Sequence, residues 1–152
     1  MIPSKLDELL EDFSFITDRN ERIAWLIDAA DRFDEVRVPP EVAAPPYDEA
    51  HRVPACESDA FVWALPADSK DTLNFRFDVL NPQGLSAMAL AVILNDCCSG
   101  APLQQVAAIP QDIVLAIFGR EVSMGKGQGL MGLVTMVTHA AHEQLGSQSA
   151  EA

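Results

Sequence analysis

The stretch Leu73-Asn74-Phe75-Arg76-Phe77-Asp78-Val79 alternates apolar and polar side chains with a period of two, the pattern of a strand with one buried face. Before it, Asp68-Ser69-Lys70-Asp71 is a turn signal, and Ala60-Phe61-Val62-Trp63-Ala64-Leu65 has the aromatic and branched residues that strands favour. Further upstream, His51-Arg52-Val53 leads into a second turn-like segment, Pro54-Ala55-Cys56-Glu57-Ser58-Asp59. Two adjacent hairpins follow from this order. They predict a small antiparallel sheet of about three strands, with Cys56 at the tip of the first connection. Leu73, Phe75, Phe77 and Val79 share one face, which requires a helical cover.

Helical patterns flank the strands on both sides. Asn81-Pro82 is a helix start, Asn as N-cap and Pro at the first position, and Leu85 to Leu94 is apolar nearly all round, so this helix belongs in the core. Pro102 to Ala108 and Gln111 to Phe118 read as two shorter helices. Leu130 to Leu145 places Leu130, Leu133, Val134, Val137 and Ala141 on one side. Near the start, Ser4 with Asp7 resembles a cap, followed by Leu6, Leu9, Leu10, Phe13 and Ile16 at helical spacing. Asp18 with Glu21 caps a second helix whose buried stripe is Ile23, Leu26, Ile27 and Ala30, with Asp28, Asp31 and Asp34 facing water. Two Pro-Pro pairs between Val38 and Pro46 remove amide donors and mark a surface connection. The expected class is α+β, with helices packed mainly on one face of the sheet. Residues 1–146 are expected to form one domain, followed by a flexible tail, 147–152.

Composition narrows the possible partners. The 152 residues are 49% apolar, enough for one core. Ten Lys and Arg against 23 Asp and Glu give a net charge of −13, which repels phosphate backbones and anionic headgroups, so no nucleic acid and no membrane is expected as partner. Residues 1–60 hold 15 acidic and 6 basic side chains, which keeps that region soluble and would complement a basic face on another protein. The first residues carry no secretory signal pattern, so the chain is expected to start at Met1. The longest apolar run, Ala87 to Leu94, is far short of the roughly 20 residues needed to cross a bilayer. Three cysteines without a secretory signal point to free thiols in the cytoplasm.

Three constellations carry possible chemistry. Gly127-Gln128-Gly129-Leu130-Met131-Gly132 matches GxGxxG, but no strand and no acidic residue about 20 positions later follow, so a dinucleotide site is rejected. These glycines are expected to give a flexible or closely packed entry to the last helix. Cys97 and Cys98 are adjacent, about 100° apart on a helix, and read as small buried side chains, with no metal site expected. His139 and His142 lack a third partner and belong on the surface. Cys56 differs because a loop can present it to another molecule. Arg52 and Lys126 are the cations that would favour its thiolate; Glu57 and Asp59 would oppose it. From the residues alone, a packed or incidental thiol explains Cys56 equally well.

The segments Val53-Pro54-Ala55-Cys56-Glu57-Ser58 and Phe61-Val62-Trp63 resemble the active-cysteine loop of SufE proteins. The likeness extends from Ile2-Pro3 through Phe75 to Val79, Gly84 to Leu94, and Lys126-Gly127-Gln128-Gly129-Leu130, similar to the family's basic-x-x-Gly-Leu/Phe signature. It implies a curved antiparallel sheet of the fold shared with IscU-type scaffolds. It also implies that Cys56 accepts persulfide sulfur from a SufS-type cysteine desulfurase, stimulates its turnover, and passes sulfur to the SufBCD assembly machinery for iron–sulfur clusters. In relatives the persulfide-bearing side chain tucks into an apolar hollow until a partner draws it out. Cys56 is then the nucleophile, with Ser58, Lys126 and Arg52 as supporting residues. The protein would be an accessory carrier and not an enzyme, binding no cofactor itself, since pyridoxal phosphate belongs to the desulfurase. A homodimer is the candidate assembly. The departures are Ala55 where Gly is usual, Lys126 where Arg is common, and two residues inserted after Ser58. The alternative is an IscU-type scaffold holding a cluster with Cys56, Cys97 and Cys98; a third is an interaction protein that activates its partner without carrying sulfur.

Overall fold

The computed structural model describes residues 1–69, 71–119, 122 and 124–151, apart from the side chains of Met124, Ala150 and Glu151. Lys70, part of the expected turn, lies outside the described residues. The order of elements is α1 (Ser4–Ser14), α2 (Arg19–Ala30), β1 (Ala60–Pro66), β2 (Leu73–Val79), α3 (Leu85–Cys98), α4 (Leu103–Ala107), α5 (Ile113–Phe118) and α6 (Met124–Glu151), with short 3-10 turns at Phe33–Glu35 and Glu49–His51. β1 and β2 pair antiparallel, Val62 opposite Phe77 and Ala64 opposite Phe75. The sheet has two strands and not three. His51 ends a 3-10 turn, and the approach of Arg52 to Phe61 is a single bridge, with the Val53 amide donating to the Ala60 carbonyl at 2.8 Å. Pro54 then offers no amide and Ala55 turns the chain away at φ +57°, so a third ladder cannot extend.

Side-chain alternation places the core as expected. Leu73, Phe75, Phe77 and Val79 join Ala60 and Val62 on the inner face, where Phe75 and Phe77 have no exposed surface. Truncating either ring to Ala would cost about 3–5 kcal/mol. α3 covers this face, with Ala89 to Leu94 all buried. It begins at Leu85 and not at Asn81-Pro82. The Asn81 side chain and carbonyl accept from the amides of Gln83 and Gly84, each at 2.9 Å, so the capping residue closes a turn before the helix instead.

The outer face is also covered, because Phe61 and Trp63 are too large to leave in water. The Pro-rich connection, expected as a plain surface segment, lies over them: Val38, Ala43 and Tyr47 pack against Phe61, Trp63 and Leu65. Tyr47 meets both rings edge-on, at centroid distances of 5.0 and 4.8 Å, and His51 stacks on Trp63. Enclosed by this strap, Asp78 is 4% exposed and fully engaged, accepting from the Tyr47 hydroxyl at 2.6 Å, Arg37 Nη1 at 2.6 Å and the Val79 amide at 2.8 Å. A buried carboxylate requires such partners.

The first helices depart from their expected faces. Pro3, not Ser4, precedes α1, which starts without a side-chain cap, whereas Asp18 caps α2 by accepting from the Asn20 amide at 3.0 Å. α2 turns Ala29 and Ala30 inward and packs on α3, leaving Ile23 and Ile27 42% and 45% exposed instead of buried. Arg22 fixes this rotation. Its guanidinium donates to the carbonyls of Ala116 and Ile117 in α5 and of Phe13 and Ile16 at the end of α1, satisfying helix C-terminal acceptors. α6 starts at Met124, before the expected Leu130, and continues as helix past Gly146 to Glu151, while Leu130, Leu133, Val134, Val137 and Ala141 are buried as expected.

Tyr47 is the single tyrosine, and its hydroxyl is pushed up to about 12, by burial first and then by its hydrogen bond to Asp78. The unfolded chain releases this proton near 10 while the folded protein keeps it, so the contribution of Tyr47 to stability is intact below pH about 10 and lost as pH rises toward about 12. Tyrosinate absorbance is expected to rise with a midpoint near 12 in the native protein and near 10 in urea. Equal midpoints would show that the Tyr47–Asp78 bond does not hold.

Candidate functional site

Cys56 sits half-buried in the loop between Val53 and Ala60. Two residues bend this loop through the left-handed region, Ala55 at φ +57° and Asp59 at φ +52°. Asp tolerates that conformation, whereas Ala does so at a cost of about 1–2 kcal/mol. The loop is tied down at its base. The Asp59 amide donates to the Cys56 carbonyl at 3.3 Å, and the amides of Leu80 and Asn81 donate to the carbonyls of Asp59 and Ser58. Arg52 closes it with an ion pair to Asp59 at 2.7 Å, a second to Glu49 at 3.2 Å, and its guanidinium over the Phe61 ring.

The loop rests on the backbone of α6. Gly125, Gly129 and Gly132 follow at i, i+4 and i+7 and therefore share a helix face. A Cβ at Gly129 would stand 3.0 Å from Cys56 Cα and 3.3 Å from its Cβ; one at Gly132 would stand 3.0 Å from Val53 Cγ1. Gly84 plays the same part on the other side, where a Cβ would come within 2.8 Å of Ser58 Cβ and 2.9 Å of Val79 Cγ1. Cys56 is thus held between a glycine face of α6 and the turn before α3. These glycines were legible as close-packed in the GxGxxG segment, but only the fold shows that the object packed against them is the cysteine loop.

Beside the thiol lies a hollow of about 30 Å³, bordered by Cys56, Glu57, Ser58, Ser86, Lys126 and Leu130 among others. That is room for about one water-sized atom. Cys56, Ser58 and Lys126 come together here, as the sequence grouped them. Arg52 does not border the hollow, and its hydrogen bonds run to Asp59 and Glu49, so it acts on the shape of the loop. Ser86 and the glycines at 84 and 125 are the members that sequence reasoning missed.

Cys97 and Cys98 are placed elsewhere, buried at the end of α3, and Cys97 borders a separate hollow with Pro3, Lys5 and Asp96. Burial pushes the Cys97 thiol up to about 12, with Asp96 adding to the effect, and raises Cys98 further. Both are held as neutral thiols at neutral pH. Among the described residues no three His, Cys, Asp or Glu side chains gather as metal ligands would, and His139 and His142 lie on the surface, His139 beside Glu143. No helix among them is long and apolar enough to cross a membrane.

Residues 7–141 match the family described as SufE, the Fe-S metabolism associated domain. The chain belongs to the SufE family. Its association is with iron–sulfur metabolism, and the resemblance carried by the cysteine loop and the Lys126 segment is borne out. A solved structure of a hypothetical protein from Thermus thermophilus is similar in fold, with a TM-score of 0.69 and 22% identity over 96% of this chain and 99% of that one. No curated protein matches the chain.

Two substitutions probe the contact between loop and helix. Ala55→Gly is expected to raise stability by about 1 kcal/mol in denaturant unfolding, because it relieves the left-handed strain. Gly129→Ala would add about 1 kcal/mol of helix propensity in an open position, but here the new methyl meets the Cys56 backbone. It is expected to give no gain in stability and to speed alkylation of Cys56 several-fold by lifting the loop. A stabilised variant with an unchanged alkylation rate would show that the loop does not rest on Gly129.

Proposed function

We propose that this SufE-family protein is a sulfur carrier whose working group is the Cys56 thiol. The observation that carries the reading is the seating of Cys56: a half-buried thiol in a tied loop, against Gly129, beside a hollow of about 30 Å³ that accommodates one more atom of sulfur's size. In this reading the Cys56 thiolate attacks the outer sulfur of a persulfide on a SufS-type cysteine desulfurase. A bond forms between Cys56 Sγ and that sulfur, the bond to the donor's Sγ breaks, and the donor cysteine leaves as thiolate. No net oxidation occurs. The acquired sulfur, folded into the hollow, is kept from further oxidation. Lys126 borders the same hollow together with Glu57, so the compact charge it offers toward an anionic persulfide is shared with a carboxylate, and it lacks the bidentate fork of an Arg. The SufBCD machinery is the onward acceptor, in the cytoplasm.

The scaffold alternative has less support, since Cys97 and Cys98 are buried on α3, neither borders the hollow of Cys56, and Cys97 borders a different one. Incubation with a cysteine desulfurase and cysteine is expected to add the mass of one sulfur atom, removed by reductant and abolished in Cys56→Ser but retained in Cys97→Ala and Cys98→Ala. Sulfur arriving on either of the latter, or none arriving, would overturn the reading. Stimulation of the desulfurase by Cys56→Ser at the wild-type level would point instead to an activator that carries nothing.

A further inference from the structure

The cysteine loop is held at its base and bare at its tip. Val53 and Ala60 are 1% and 0% exposed, and the Val53 amide donates to the Ala60 carbonyl at 2.8 Å, whereas none of residues 54–59 is buried. Lifting the tip therefore uncovers little apolar surface, and the ties at the base set how often it lifts. Two opposing effects meet there. Ala55 is confined to φ +57°, a conformation unfavourable for a residue with a Cβ, so the closed loop holds strain that opening would release. Against it stands Arg52, which precedes the loop and whose Nη1 donates to Asp59 Oδ1 at 2.7 Å, joining the loop's two ends. The guanidinium lies 5.0 Å from the ring of the buried Phe61, and its Nε pairs with Glu49 at 3.2 Å, so the cation is positioned by two other groups where it meets Asp59. The side chains of Arg52 and Asp59 are 37% and 50% exposed, open enough for salt or a second protein to part them.

We propose that the Arg52–Asp59 pair is a latch on the cysteine loop: closed, it keeps the Cys56 thiol seated against Gly129; parted, it lets residues 54–58 lift and present the thiol. Arg52 and Asp59 are thus positioning residues, acting through the loop and not on the reacting sulfur. A cation that served the thiolate directly would border the hollow, and Arg52 does not. The inference rests on the carrier reading for the purpose that the latch serves. Exchange between sulfurs on two proteins needs Cys56 Sγ to meet an atom of another chain, and a half-buried thiol against Gly129 is poorly placed for that until its loop lifts. Between encounters the closed latch keeps the thiol under cover, where oxidants reach it less.

The test measures alkylation of Cys56 in the full chain by the neutral reagent iodoacetamide, counted as the single adduct that is absent from Cys56→Ser. Asp59→Asn and Arg52→Gln remove opposite charges. With the pair acting as a latch, each substitution is expected to speed alkylation about threefold, and the double variant to be no faster than either single one. Charges acting only on ionisation of the thiol would make Asp59→Asn faster and Arg52→Gln slower, and that opposition would overturn the latch. Wild-type rates in both variants would overturn it as well. Glu49→Gln removes the partner of Arg52 that lies outside the loop and is expected to leave the rate unchanged; an equal gain there would overturn the assignment to Asp59. Asn suits the left-handed backbone at position 59, so Asp59→Asn keeps the test open should Arg52→Gln fail to fold. In that variant alkylation is expected to lose the acceleration that raised salt gives wild type, and a salt response equal to that of wild type would overturn the latch. Loading with polysulfide, followed by intact mass, tests the carrier reading separately. No sulfur on Cys56, with the alkylation pattern as expected, would overturn that reading and leave the latch in place.

Discussion

The approach of the cysteine loop to the backbone of α6 is the constraint on which the site depends. Side chains normally keep a loop several ångströms from a helix axis; here the absence of a Cβ at Gly129 and Gly132 lets Cys56 and Val53 lie against the helix itself. Close packing of this kind resolves a conflict. A reactive thiol on a free loop is available but oxidisable, and one in a core is protected but inert. Cys56 is half-buried at the border of a hollow, whereas Cys97, held within α3, is pushed up to about 12 and stays neutral.

The two-stranded sheet serves this arrangement by fixing both ends of the loop. β1 starts immediately after Asp59, and β2 ends at Val79, beside the amides of Leu80 and Asn81 that hold the loop carbonyls. A pair of strands alone is marginal in water, so its stability comes from being covered on both faces. α3 covers one, and the Pro-rich strap with Tyr47 covers the other, locked by the buried Asp78. Deformation of the strap would therefore be felt at the loop through β1.

The helices at the chain start act on the same site from farther away. Arg22 joins α1, α2 and α5 through four carbonyl oxygens, an arrangement that offsets the negative ends of two helices with one cation. The same contact sets the rotation of α2 and so decides which of its apolar residues face water. An open groove between α2 and Phe118, walled in part by the outward Ile23, is the result.

Local chemistry made much of this legible in the residue order. The alternation from Leu73 to Val79 and the apolar run of α3 determine the strand, its buried face and the helix that covers it, because period and hydrophobicity are local properties. Cys56, Ser58 and Lys126 were likewise identifiable from their segments. What the sequence could not show are relations between distant residues. The third strand gave way to a 3-10 turn and a left-handed Ala55; Arg52 turned to Asp59 and Glu49; Ile23 and Ile27 stayed outside; and the Pro-rich strap became a cover for Phe61 and Trp63. Each was decided by which surfaces must be buried together, and by which charges and carbonyls meet once they are, quantities that exist only after the chain has closed on itself.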